Sequence, residues 1–344
     1  MNQQWGDLMY RWFGCALLTG GLLAGCASPN EPNIPSESQL VLISQTQTLG
    51  WAQVIRVEGD TAYVADGEQG VTIWDISNLN APHVIDTLRT QASVKMVQFA
   101  PGNRILFVVE DVNNAGVTGY LLDTGQRLIN IGSTGVYAFR IIHDVQDTFT
   151  VLYTDVSDKY VRFVEMTNDP LLGWGEEQIG SYSSRAPFRG FDLAGDYIYL
   201  AHSQFGMQIA NLNRATGAIA PLGSVDTPGS GYDLSVNEDG TIAVVADFHD
   251  GIQIIDVTDV DNPQIKTGFL AERVKRVFKV EVVGDIAYFL DMYNGLFAAD
   301  IAQPENPRLL SYYKMSYPTG MFVSDDHTIF LTDEDLGLLI LRWS

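Results

Sequence analysis

Cysteine is almost missing from this chain: two occur in 344 residues, at positions 15 and 26. Both lie in or at the end of an N-terminal apolar run. Whatever folds after residue 26 therefore has no disulfide and no cysteine metal site, and must rely on apolar burial. Basic residues are scarce too. Lys and Arg number 20 against 42 Asp and Glu, a formal net charge of −22. Such a charge repels nucleic acid and anionic lipid surfaces, so no nucleic-acid partner is expected. Simple solubility is the plainer account of it. The five histidines, His83, His143, His202, His249 and His327, form neither H-x-H nor H-E-x-x-H, which excludes a helical zinc motif. There is no G-x-S-x-G elbow. The Gly-rich stretches fit hairpins rather than a phosphate loop, and no carboxylate pair stands apart as an acid/base dyad. No catalytic residue is assigned and no resident cofactor is expected. Catalysis assembled from distant segments is left open. After residue 30 no run has the 3.6-residue helical period.

What is present begins with "MYRWFGCALLTGGLLAGCAS", from Met9 to Ser28. Arg11 supplies a positive start, an apolar run extends from Trp12 to Leu23, and small residues close it. This is the layout of a secretory signal, too short for a membrane span. The residues before Met9 include Asp7, unusual for such a start, so Met9 competes with Met1 as the first residue. Leu23-Ala24-Gly25-Cys26 resembles a bacterial lipobox; an ordinary cleaved signal is the plainer alternative. The resemblance implies a signal over 1–25, lipid on Cys26 and a membrane anchor. Ala27, rather than Asp, follows the cysteine, which implies the outer membrane of a Gram-negative envelope. Residues 26–38 are rich in Pro, Ser and Asn with no apolar period, and read as a solvated tether.

From residue 39 to 344 the chain repeats itself. "AYVAD" ends at Asp66, "LFVVE" at Glu110, "VLYTD" at Asp155, "IYLAH" at His202, "AVVAD" at Asp247, "AYFLD" at Asp291 and "IFLTD" at Asp333. The spacings are 44, 45, 47, 45, 44 and 42 residues. Length alone suggests two domains, but a repeat overrides that prior. Each copy has an alternating strand, a Gly turn, the marked strand, and a short connection ending in Gly70, Gly206, Gly251, Gly295 or Gly337. A third strand follows, then a turn in which Asp75–Pro82, Asp256–Pro263 and Asp300–Pro307 are seven apart, then a fourth strand. Four antiparallel strands, seven times, with no helix, predict an all-β, seven-bladed β-propeller. A β-solenoid is the alternative, but its repeats are usually shorter. The seventh copy stops after three strands, and Gln39–Thr48 precedes the first copy as an unassigned strand. That strand is expected to close the last blade and leave no open edge.

The pattern Gly-aliphatic-x-Ile-x-Asp followed by Asn-Pro resembles the LVIVD repeat of bacterial and archaeal surface propellers. Gly70–Asp75, Gly251–Asp256 and Gly295–Asp300 carry it best, and Gly206–Asn211 more weakly. Copies two and three, "YLLDTGQRL" and "VRFVEMTNDP", depart from it, so their blade edges are open. "LLDTGQRL" and "NRATGAIA" also resemble the D-x-T-G turn of quinoprotein-type propellers, in two copies only. The resemblance implies a fold and leaves function to the site.

The candidate site is the channel mouth. Asp66, Glu110, Asp155, His202, Asp247, Asp291 and Asp333 hold equivalent places, and by symmetry form a ring around the axis. Such a ring is a candidate for a cation, with calcium the possible metal, or for a cationic ligand. The competing expectation is that each acid caps its own turn. Trp51, Tyr137, Phe188, Tyr232, Arg276 and Tyr317 start the first strands. They are candidate contacts for a sugar or peptide, or else inter-blade packing. "ERVKRVFK", Glu272–Lys279, is a basic cluster that either docks an acidic group or is a solvated loop. "DVTDVDNP", Asp256–Pro263, lacks the spacing of a calcium loop. The expected function is a lipid-anchored, monomeric envelope propeller that binds another envelope or surface protein. The alternative is binding of a cation, sugar or peptide at the mouth, possibly with turnover.

Overall fold

In the computed structural model the described residues are 39–100, 105–111, 116–131, 135–145, 148–155, 159–169, 171, 173–274 and 276–344. The expected signal, lipobox and tether lie outside them. The described part falls within one compact unit, 33–344.

Among the described residues, twenty-eight strands form seven four-stranded sheets. The blades span residues 54–88, 94–131, 136–183, 190–225, 233–269, 277–314 and 318–343, with 40–46 added to the seventh. Within each, the four strands are antiparallel neighbours, running in sequence order from innermost to outermost except for the outermost strand of the seventh. Each inner strand touches the inner strands on either side, and that of blade 7 touches that of blade 1, so the ring is closed. No residue among those described is helical.

The closing strand is the one expected. Leu40 pairs with Trp343, Val41 with Arg342 and Leu42 with Leu341, and after a register shift Ser44–Thr46 pair with Ile340–Leu338. Blade 7 thus takes its outer strand from the other end of the folded segment, and the last C-terminal strand is not left as an edge.

Apolar burial lies between the blades. Seven clusters of buried side chains are found, one at each blade–blade junction. Alternation does this: Ala62 and Val64 face blade 7, while Tyr63 and Ala65 face blade 2. The second strands are covered on both faces, which is why they read as continuous apolar runs rather than alternating ones. Each Val, Leu or Phe so buried contributes about 1.5–3 kcal/mol.

The repeat motif has a local cause. Asp75, Asp256 and Asp300 each accept a hydrogen bond from the backbone N–H two residues on, at 2.9–3.0 Å. They cap the turn between third and outer strands. Gly295, at φ +100°, and Gly337, at φ +80°, open third strands where a Cβ would lie 2.4 Å from the carbonyl oxygen of Tyr313 or Thr46. Only glycine combines that φ with so close a backbone. Blades 2 and 3, the open cases, lack the Asp–Pro turn. Blade 2 joins these strands through a short turn at residues 122–125, and blade 3 through a long hairpin whose outer strand runs 173–183.

Candidate functional site

The residues that mark the repeat are buried and hold the loops that lead into the inner strands. Asp66 accepts from the N–H of Leu49 and Gly50, both at 3.0 Å. Glu110 accepts from the N–H of Gln91 at 2.8 Å and the hydroxyl of Tyr120 at 2.9 Å. Asp247 takes the Thr227 hydroxyl at 2.6 Å and the Gly229 N–H at 2.9 Å. Asp291 takes the N–H of Arg276 at 2.6 Å, and those of Tyr293 and Asn294 at 3.0 and 2.8 Å. Asp333 takes those of Tyr317, Asp335 and Leu336 at 3.2, 2.9 and 2.9 Å. Asp155 faces Arg162 at 3.6 Å. His202 replaces the acid in blade 4 and bonds the Ser184 hydroxyl, in the approach loop of the same blade. Its ring lies between Phe188 and Phe205, with centroids 4.6 and 5.1 Å away.

These carboxylates bind backbone donors that strand pairing leaves over. Burial pushes the Asp66 and Asp247 carboxyls above the ordinary value, and the loop N–H groups and hydroxyls work against that rise. Among the described residues, no three His, Cys, Asp or Glu side chains converge in a group able to hold a metal ion.

The centre of the ring is built from other residues. At each inner strand, the residue paired with the position before the marker is Val54, Met96, Ala138, Gly190, Asp233, Lys279 or Gly320. All seven line one cavity of about 640 Å³. Two residues further along, the register places Arg56, Gln98, Arg140, Asp192, Ser235, Glu281 and Phe322. Of these, Arg56 and Arg140 reach the cavity and form its floor. Burial, then the charge of Arg140, pulls the Arg56 guanidinium down to about 10. Arg56 donates to the Ile55 carbonyl at 3.0 Å.

The acids of these layers stitch one blade to the next. Asp192 accepts from the Val236 N–H at 3.0 Å, Asp233 from Lys279 Nζ at 2.8 Å and the Val280 N–H at 3.3 Å, and Glu281 from the Val323 N–H at 2.7 Å. Inner strands have a free edge toward the axis, and these side chains supply its missing acceptors.

Of the six expected mouth contacts, Tyr137 and Tyr232 line the cavity. Phe188 is fully buried and packs on Tyr182 and His202. Trp51 and Tyr317, 74% and 52% exposed, stand on approach loops of the same face. Arg276 stacks on Phe248 and Tyr293, at 5.5 Å from each ring centre. Sequence reasoning missed Arg189. Its guanidinium lies 4.2 Å from the ring centre of Tyr232 and 5.5 Å from that of Tyr137. Tyr232 in turn stacks on Phe248 at 4.2 Å. The result is a crescent over blades 3 to 6: Tyr137, Arg189, Tyr232, Phe248, Arg276, Tyr293. Phe248 sits at φ +52°, uncommon for a bulky side chain. From the "ERVKRVFK" cluster, Lys279 enters the cavity and Arg276 the crescent. In "DVTDVDNP", Asp256 pairs with Lys266 at 3.0 Å and Asp259 caps the Asp261 N–H at 3.2 Å.

The architecture and this central mouth define a seven-bladed β-propeller whose site is drawn from every blade. Two stretches, residues 49–90 and 276–315, match the LVIVD repeat family. They are blades 1 and 6 with their approach loops, so the chain is a repeat propeller carrying LVIVD repeats there. No curated protein is similar to the chain in sequence. Among solved structures, the crystal structure of the computationally designed Ika8 protein is similar, with a TM-score of 0.60 at 11% identity, over 86% of this chain and 98% of that one. Such a likeness speaks for the fold alone.

Proposed function

We propose that this protein is a lipid-anchored propeller of the bacterial cell envelope that acts by binding another envelope protein on its mouth face. The crescent of stacked arginines and aromatic rings carries the reading. Trp, Tyr and Arg supply most binding energy at protein interfaces, because they bury much area with little loss of side-chain freedom. Here rings and guanidinium groups hold one another in place before any partner arrives, which lowers the cost of ordering them. Exposed Trp51 and Tyr317 extend the same face over blades 1 and 7. The anchor rests on Leu23–Cys26 and the tether on residues 26–38. Ala27 after the cysteine supports the outer membrane.

The test places a photo-crosslinking residue at Trp51 or Tyr317 in cells, with the exposed Ile85 of an outer strand as control. One envelope protein captured from both mouth positions and not from Ile85 supports the reading. Equal capture from all three, or none, refutes it. Labelling with a fatty acid that is lost in Cys26→Ser tests the anchor separately.

A further inference from the structure

We infer that the central cavity binds a small organic oxyanion, a carboxylate or phosphate group on an apolar body, with Arg189 and the floor arginines Arg56 and Arg140 as its receptors. The chain carries a net charge of −22, yet five basic residues and one acid line this cavity. The acid, Asp233, is taken by Lys279 and the Val280 N–H. Lys95, at the rim, is paired with Asp111 at 2.9 Å. That leaves the three arginines, of which Arg56 donates its Nε–H to Gln98 Oε1 at 3.4 Å and, with Arg140, lies in the field of Glu281. Asp192 and Glu281, the nearest acids below, each spend an oxygen on a backbone N–H of the next blade.

Arg189 is the most prepared of the three. Rings from both neighbouring blades flank its guanidinium, and its buried Nε has no hydrogen-bond partner among the described residues. A buried donor without an acceptor is a cost that the fold carries unless a ligand supplies the acceptor. A planar guanidinium matches the paired oxygens of a carboxylate or phosphate. Arg56 and Arg140 repel each other, and an anion between the rings and the floor relieves that repulsion.

The lining also calls for an apolar body. Half-buried Val54, Met96, Phe278 and Met292 form walls between the charges. In four blades a register shift puts one extra residue at the start of the inner strand: Lys95, Tyr137, Phe278 and Thr319. All four line the cavity. Bulges re-aim side chains beside functional sites, and here four of them aim at one volume. About 640 Å³ is the size of a site for a metabolite-sized ligand.

The inference does not depend on a protein partner at the rim. Its test uses the full-length purified chain and four probes: 3-phenylpropionate, phenyl phosphate, phenethylamine and inorganic phosphate. Binding is followed by calorimetry and by the melting temperature. The two aryl anions are expected to bind and raise the melting temperature, the amine to do neither, and inorganic phosphate to bind more weakly than phenyl phosphate. Arg189→Gln should weaken the aryl anions about tenfold or more, through loss of a charge-assisted pair, and Arg189→Lys should recover part of it. Arg140→Gln is the second variant, should Arg189→Gln fail to fold. No binding of either aryl anion, or equal binding in Arg189→Gln and Arg140→Gln, overturns the inference. So does phenethylamine binding as well as the anions. The rim reading is decided elsewhere, by the crosslinks from Trp51 and Tyr317.

Discussion

Replacing Asp291 by alanine tests whether the repeated acids are the clasps that hold each approach loop to its own blade. The carboxylate is fully buried. Its Oδ2 accepts from the Arg276 N–H in the approach loop, and its Oδ1 from the N–H groups of Tyr293 and Asn294 in the turn. Alanine leaves three backbone donors without this acceptor. An orphaned donor costs about 1–3 kcal/mol, less where water can reach it. The turn residues are partly exposed, so they are assigned about 1 kcal/mol each and the Arg276 N–H somewhat more. The sum is about 3 kcal/mol, which in a domain of this size lowers the melting temperature by about 5 °C. Asp291→Asn keeps one oxygen for the turn but turns an amide donor toward the Arg276 N–H, and should lose about half as much. Asp335→Ala, an exposed acid in the turn of blade 7, is the control and should stay within about 0.5 kcal/mol of wild type. Thermal and urea unfolding of the four proteins decide it. If Asp291→Ala unfolds within about 1 kcal/mol of wild type, the clasp argument fails.

Glycine and the titrating groups give further outcomes. Gly59→Ala, in a turn with open space around it at φ +55°, should cost about 1 kcal/mol by unfolding. Gly295→Ala meets the Tyr313 carbonyl and the Met315 N–H, each at 2.4 Å, and should cost about 3 kcal/mol or prevent folding. The Thr258 hydroxyl and N–H, with Lys266, hold the Asp256 carboxyl down at about 2. Its stabilising contribution is complete above the ordinary value of 3.8 and disappears as pH falls toward 2. Asp256→Asn should therefore be about 1 kcal/mol less stable at pH 7, after allowing for solvent screening, with the gap narrowing in acid urea titrations. Burial lowers the His202 pKa below 6.5, so its neutral form is the one that fits. Wild-type stability should drop as pH falls from 7 to 5, and His202→Phe should flatten that drop in melting curves across the range.

Much of the fold was legible because every blade solves the same problem. A third strand that passes close to the end of the outer strand needs glycine at positive φ, and Gly70, Gly206, Gly251, Gly295 and Gly337 all stand there. A capped turn needs its aspartate, hence Asp75, Asp256 and Asp300. Even the ring closure could be read, since three strands at one end and a spare strand at the other have one economical pairing. The acid positions were equally legible, but their partners were not. A strand-end Asp looks the same whether its oxygens face a channel or a backbone N–H, and the approach loops that supply those N–H groups follow no pattern.

The cavity was hidden for the opposite reason. Its upper ring, Val54, Met96, Ala138, Gly190, Asp233, Lys279 and Gly320, follows no common pattern, glycine alone recurring, and in the layer beneath it only arginine recurs. Arg56 and Arg140 lie in inner strands and Arg189 just before one, each more than forty positions from the next, and aligning the repeats treats them as noise. Only closing the ring puts Arg56 beside Arg140 and Arg189 between two tyrosines. In a repeat protein, what all copies share serves the blade, because every blade must fold. What one register position does not share serves either a single blade-to-blade bond, as at Asp192, Asp233 and Glu281, or the cavity, and the arginines that converge there are the residues on which the proposed oxyanion binding rests.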